Sequence, residues 1–404
     1  MPVASPCRRR RVAFGAWIIP LKIGALLPTS RLYPAVDQSF VAGLRGALAD
    51  AGVAFELAVE PTGTAAVKDT VTEKVQRLLL QHDPDVVIAL IGAGLSRHVH
   101  PVFRDAETPL IVADLGADPI MLGKSRNPFA FSTTLNLWRS VAALGYWAAR
   151  SCGPKACIAA GFHEAGYGLV PAFWMGFQEA GGGTILSTEV THRKDSDEDP
   201  SEQLQRIAAL NPDFVMSFYA GRSAISFADA WHGTGLSARL PLLASPLFTH
   251  DAWLTQMAAP PAGARTAWSW DPAAHVEEQE QFRRLSKIGE RKSPAVFALL
   301  GYETGRMLAS AVSRSDGERS GEALCRALSG ASFMSPRGQL LVDEVTGDVT
   351  GSHDYLQELR CGPDGAWSRV TTATLVPPPS FHAAYEALRQ ADERSGWLNP
   401  YLVT

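Results

Sequence analysis

The sequence predicts an α/β protein of two doubly wound parallel-sheet lobes, and three observations carry that expectation. At 404 residues the chain is too long for a single hydrophobic core. Short apolar runs alternate with stretches whose apolar residues recur at helical spacing, the rhythm of βα units that build a parallel sheet. The rhythm completes one unit and then begins again. Composition narrows the class: 46% hydrophobic and 19% charged residues exclude a disordered, collagen-like or coiled-coil chain. With 37 Lys+Arg against 41 Asp+Glu and a net charge of −4, no basic excess draws nucleic acid or an anionic membrane to the surface.

In the first unit Leu21–Leu27 reads as a strand, and 36–52 as a helix stopped by Ala51-Gly52. Residues 55–59 form the next strand, 65–82 a helix, and 85–91 a buried strand running into Gly92-Ala-Gly-Leu-Ser96. Residues 98–105 are a short helix, and 109–113 a buried strand ending at Asp114. The second unit opens with a helix over 136–150, a strand over 156–160, and a helix over 168–180 closed by three glycines. A strand over 184–191, a helix over 201–210, a strand over 213–218, a helix over 223–234 and a strand over 241–244 follow. The charged run 193–201 is a solvated loop. An apolar segment at 266–270 is broken by Asp271-Pro272; helices come next, over 277–288 and 294–313. Residues 335–343 and 355–358 are short strands joined by turns, and a Pro-rich stretch at 377–380 precedes an amphipathic C-terminal piece.

The start of the chain leaves several readings open. Arg8 to Arg11 followed by the apolar stretch 12–19 has the shape of an export signal, and Arg10-Arg11 resembles a twin-arginine start, yet the stretch is short and no A-x-A site follows. An atypical signal, a misassigned start and a cytoplasmic protein with an irregular arm all stay open. No later run reaches the ~18–20 apolar residues of a membrane helix, so direct membrane insertion is not expected. The five cysteines, Cys7, Cys152, Cys157, Cys325 and Cys361, form neither a C-x-x-C pair nor a disulfide framework. Cys152/Cys157 and Cys325/Cys361 stay open between loop-closing bridges and buried thiols. His98 and His100 stand two apart at the start of a helix, a spacing that splits their directions, so no metal site is expected there.

Five segments, in order, resemble one family. They are Leu21-Lys-Ile-Gly-Ala-Leu-Leu-Pro28; 84–92 with Ser96; 109–113 through Pro119; Ala165-Gly-Tyr-Gly168 with Phe173, Phe177 and 179–182; and Ser335-Pro-Arg-Gly338 before 340–343. Each is weak alone, because Gly and Pro mark turns everywhere. Together, across 21–360 or so, they resemble the type I periplasmic binding proteins of the branched-chain amino acid, urea and amide group. The resemblance implies two lobes joined by three crossovers, near 132–135, 266–271 and 336–343, with a ligand cleft between them that closes by hinge bending. It assigns 21–134 and 271–335 to lobe 1, 135–266 and 336–380 to lobe 2, 1–20 to a signal-like arm and 381–404 to a tail. It further implies a periplasmic ligand-binding component of an ABC-type uptake system, with a small-molecule ligand and a permease as partners, no cofactor and no enzymatic activity.

The family's binding positions fall on Gly94, Leu95 and Ser96, on Leu115, Gly116 and Ala117, and on Thr133 in the first lobe. In the second they fall on Tyr167, on Phe218, Tyr219 and Ala220, and on Ser245 and Leu247, with Trp268 and Trp270 at the second crossover. Asp114 either lines the cleft or caps a helix. Two departures matter: Ala117 replaces a hydroxyl, and no acid stands in 244–249, where amino-acid binders hold an ammonium. The surplus of aromatic residues instead points to a largely apolar or aromatic ligand with one oxygenated end. Two rivals are weighed. Gly92-Ala-Gly94 with Asp114 about twenty residues on has the outline of a dinucleotide fingerprint, but Arg97 stands where its third glycine belongs. A cytoplasmic ligand sensor would keep the fold and change the role.

Overall fold

The computed structural model describes residues 20–64, 67–119, 127–166, 168–191, 199–286, 295–351 and 353–390. The N-terminal arm, Cys7, Tyr167, most of the charged run at 193–201 and the tail beyond 390 lie outside the described residues.

Five strands, β1 (Leu21–Leu27), β2 (Phe55–Pro61), β3 (Val86–Leu90), β4 (Leu110–Asp114) and β5 (Ala130–Thr134), pair in parallel in the order β2-β1-β3-β4-β5. They alternate with α1 (Val36–Asp50), α2 (Lys68–His82) and α3 (Ala93–Asp105). The helix expected at 98–105 therefore begins five residues earlier. Gly92 takes an extended N-cap conformation, and Leu95 and Val99 bring an apolar face to the sheet. The chain then builds α4 (Leu137–Ser151), β6 (Lys155–Ala160), α5 (Leu169–Glu179), β7 (Thr184–Val190), α6 (Ser201–Ala209) and β8 (Phe214–Phe218). Next come α7 (Gly221–Gly233), β9 (Leu242–Ala244), a single turn α8 (Asp251–Leu254) and β10 (Arg265–Trp268).

Three helices follow, α9 (Val276–Ser286), α10 (Ala295–Arg314) and α11 (Gly321–Leu328), then a small antiparallel sheet of β11 (Ser332–Ser335), β12 (Gly338–Val342) and β13 (Val349–Thr350). Finally β14 (Asp354–Cys361) and β15 (Trp367–Leu375) complete the second sheet, ordered β15-β14-β10-β9-β8-β6-β7, and α12 (Phe381–Gln390) ends the described chain. The second sheet is mixed rather than wholly parallel, because β14 and β15 form a hairpin and run antiparallel to each other and β14 runs antiparallel to β10.

Strand alternation explains the layers of the first lobe. Ile23, Ala25, Val86, Ile88 and Ile111 point into a core shared with α1 and α10, while Leu26, Val87, Ala89, Leu110 and Val112 point to a separate core under α2 and α3. Helices α1 and α10 approach closely because small residues meet: a Cβ on Gly43 would lie 2.0 Å from the Ala298 carbonyl oxygen, and one on Gly301 2.0 Å from that of Phe40. Neither Cys152/Cys157 nor Cys325/Cys361 is bridged. Among the described residues no helix is long and apolar enough to cross a membrane.

One buried arginine ties together two of the places where the chain passes between lobes. The Arg337 guanidinium is forked onto Glu303, with Nε 2.8 Å from Oε1 and Nη2 2.7 Å from Oε2, and both side chains are buried. It also donates to Ser269 Oγ at 3.1 Å and to the Thr134 carbonyl at 3.0 Å, and Ser269 Oγ in turn donates to the Leu135 carbonyl at 2.6 Å. The segments after β5, after β10 and after β11 are thus knotted at one point. The last passage falls later than the expected 336–343. Ser335 Oγ accepts from Arg337 N at 3.0 Å and Gly338 adopts φ 88°, so the chain turns back into β12. The hairpin sheet attaches to β5 through a Ser132–Asp348 bridge, and the chain enters the second sheet only at Asp354.

Candidate functional site

In doubly wound sheets ligands sit beyond the carboxyl ends of the strands, near helix N-termini. Here those ends are the loops after β1, β3 and β4 in one lobe and after β6, β8 and β9 in the other. The β1–α1 loop crosses to the opposite lobe. Leu32 lies where a Cβ on Gly221, at the start of α7, would meet it at 2.3 Å. The Tyr33 ring packs edge-on to His250 at 5.2 Å between centroids, tilts against Trp253 at 5.4 Å, and meets Phe297 of its own lobe at 5.0 Å. Tyr219 stacks on Phe227 at 4.7 Å, and Phe248 meets Phe227 edge-on. The two lobes therefore meet across an aromatic surface that water does not reach.

The polar groups of this surface are held uncharged. The Tyr33 hydroxyl is fully buried and has no hydrogen-bond partner among the described residues; burial, reinforced by the charge of Glu164, pushes its pKa well above the ordinary phenol range. Glu164 follows β6 and is buried. Burial lifts its carboxyl to about 8, against the lowering effect of the backbone N–H groups of Glu164 and Ala220. Its room comes from Gly161, where a Cβ would stand 2.1 Å from Glu164 Oε2 and 3.3 Å from the Tyr219 ring. Burial also lowers His250 to about 4; its Nδ1 accepts from Ala252 N at 3.1 Å, which leaves the proton on Nε2.

Most of the expected site residues lie on these loops. Leu95, Ser96, Leu115, Ala117, Phe218, Tyr219, Ala220, Ser245 and Leu247 are all buried at the carboxyl ends of the strands. Gly94 and Ser96 stand in the first turn of α3 rather than in a loop, and the Ser96 hydroxyl donates back to the Ala93 carbonyl at 2.6 Å. Gly116 N donates to Asp114 Oδ1 at 2.9 Å, while Asp114 Oδ2 is buried with no hydrogen-bond partner among the described residues. Burial raises Asp114 to about 7.

Three of the expected residues hydrogen-bond within the fold. Thr133 spends its hydroxyl on Thr304 Oγ1 of α10 at 2.7 Å. The Trp268 indole N–H donates to Thr249 Oγ1 at 3.2 Å under the Arg369 guanidinium, and the Trp270 indole reaches Gln279 of α9 while packing on Phe282. The two histidines of α3 part as their spacing requires: His98 is exposed, and His100 is buried against Asn127. No cluster of three metal-ligating side chains occurs among the described residues.

Sequence reasoning missed Tyr33, Glu164 and His250. Tyr33 and His250 lie in loops without a motif, and Glu164 directly precedes the quoted Ala165-Gly-Tyr-Gly168.

Comparison with known proteins converges on one group. The family model for the periplasmic binding proteins matches residues 20–356. The Leu/Ile/Val-binding protein homolog 6 of Brucella melitensis is 21% identical over 378 residues, covering 88% of this chain and 91% of the relative. An ABC transporter substrate-binding protein from Sphaerobacter thermophilus superposes with a TM-score of 0.78 at 23% identity, over 89% of this chain and 98% of its own. A solute-binding protein of an ABC transporter from R. palustris, solved in complex with benzoate, gives 0.72 at 23% identity, over 89% of this chain and 98% of its own.

Proposed function

Because the chain belongs to the periplasmic binding protein family, we propose that it is the solute-binding component of an ABC-type uptake system that traps a small aromatic carboxylate between its lobes. The observation that carries this reading is the buried aromatic surface where the β1–α1 loop meets the loops after β6, β8 and β9. A flat apolar ring gains most from such walls, and the few polar groups among them fix its orientation. The similarity to the benzoate-bound protein supports the same ligand class. The family places such a protein outside the cytoplasmic membrane, where a permease of the ABC type takes the loaded form. The nucleotide-enzyme outline at Gly92 and Asp114 has no place in this reading, since the family match spans both residues.

The test is titration calorimetry with benzoate and with leucine, alongside thermal unfolding. Benzoate at a hundredfold excess over its Kd should stabilise the protein by about 2.7 kcal/mol. Equal affinity for leucine, or binding of neither, refutes the reading.

A further inference from the structure

Resting on that reading, we propose that the ligand's carboxylate is held by a protonated Glu164 together with the Tyr33 hydroxyl across the cleft. The Tyr33 hydroxyl is fully buried and has no partner among the described residues, and a buried hydroxyl without one is costly. Glu164, on the other lobe, is near enough for its charge to bear on Tyr33, and it sits in the space that Gly161 leaves open, with the Ala220 N–H at the head of α7 donating to its carboxyl. Closing the lobes brings a phenol and a carboxyl to one place from opposite sides.

The titratable groups around Glu164 are few. Tyr33 faces it from the β1–α1 loop and Tyr219 from the β8–α7 loop, and His250 stands behind Tyr33 on the β9–α8 loop. No charged side chain among the described residues contributes to its state; burial dominates, and with a pKa lifted to about 8 it is a proton donor at neutral pH. An ammonium would require the ionised form, which this burial opposes, and it would leave Tyr33 no better served. An anion is suited by the reverse arrangement: two neutral donors hydrogen-bond to it strongly without a buried counter-charge. The specificity that follows is for the ionised ligand acid over its amide or alcohol.

Because the anion binds only the protonated form of Glu164, affinity is linked to pH. Calorimetric titration of benzoate from about pH 6.5 to 9.5 should give a Kd that is constant up to about pH 8 and then rises toward tenfold per pH unit, with proton uptake on binding. E164Q retains a neutral donor, so its Kd at pH 7 should stay within about threefold of wild type and remain flat to pH 9.5. A flat wild-type profile overturns the proposal, as does a loss of about a hundredfold or more in E164Q, which would mark the ionised carboxylate as the binding form. A break that persists in E164Q belongs to Asp114, with its pKa near 7, and also overturns it. If E164Q does not fold, the wild-type profile and proton count still decide. Benzoate that fails to bind at every pH overturns the ligand reading itself and this proposal with it.

Discussion

Cutting the Arg337–Glu303 pair should cost the protein more than any surface charge could. The Arg337 guanidinium makes four hydrogen bonds, two to Glu303, one to Ser269 Oγ and one to the Thr134 carbonyl, while Glu303 also accepts from Ser335 Oγ at 2.6 Å. Both side chains are essentially inaccessible, at 1% and 0%. Replacing Glu303 by Leu leaves a guanidinium buried with only neutral partners, and replacing Arg337 by Met leaves a carboxylate held by one hydroxyl. Each single change should cost about 3–5 kcal/mol, because the charge left behind cannot regain water. The double variant E303L/R337M has no charge left to strand; it loses the hydrogen bonds to Thr134 and Ser335, at about 1–3 kcal/mol for each unsatisfied group. Its total should therefore fall well below the sum of the singles, with a coupling of at least about 2 kcal/mol. Urea unfolding of the four proteins by linear extrapolation measures this directly. Additivity within about 0.5 kcal/mol, or singles that each cost under about 1 kcal/mol, would refute the view that the crossovers are tied by a desolvated ion pair.

Two further predictions follow from burial. Asp114 has a folded pKa near 7 against an ordinary 3.8, so the folded state binds the extra proton and stability falls as pH rises from about 4 through 7. Asp114→Asn should be more stable than wild type at pH 8 and lose that advantage at pH 4, read from urea midpoints at the two pH values; an advantage independent of pH would contradict it. Among the four described cysteines, Cys361 is exposed, while burial raises Cys152, and Cys157 to about 11. Brief alkylation of the native protein followed by peptide mass spectrometry should label Cys361 well ahead of Cys157, and comparable labelling would refute the burial.

Buried strands with continuous apolar runs were legible because parallel strands covered on both faces must be apolar throughout: Val86–Leu90 and Leu110–Asp114 are buried at every position. β15 escaped notice for the opposite reason. It is an edge strand, half-exposed or exposed at every position but Leu375, and Arg369, Thr371 and Thr372 give it no apolar alternation. α11 carried a signal that went unread, the Ser320 N-cap whose Oγ accepts from Ala323 N at 3.3 Å. At the site, the loops could be found from strand ends, but which side chains meet across them depends on how the lobes are set together. Tyr33 and His250 are more than two hundred residues apart, and no local spacing announces their ring contact. Arg337 was visible only as part of a turn motif, because its partners come from segments around 134, 269 and 303.

The hinge and the cleft solve the same problem of buried polarity in opposite ways, and opening explains why. At the crossover point the Arg337–Glu303 pair joins segments that stay together when two lobes rotate about them, so its desolvation is met once, during folding. In the cleft, Tyr33 and Glu164 belong to different lobes, and the burial that keeps both neutral comes from the packing of one lobe on the other. A charged pair held there would have to be stripped of water, a cost of several kcal/mol per ion that ligand binding would have to offset. Neutral donors lose far less on closing. Holding Glu164 protonated, His250 neutral and Tyr33 as a phenol therefore lets a modest ligand drive closure. The same reasoning predicts that a permanent charge introduced at the cleft, as in Tyr33→Glu, should weaken benzoate binding and, because Tyr33 is buried against Phe297 of its own lobe, should also lower the unfolding midpoint of the ligand-free protein. Its counterpart at the hinge, E303L, should lower that midpoint whether or not ligand is present.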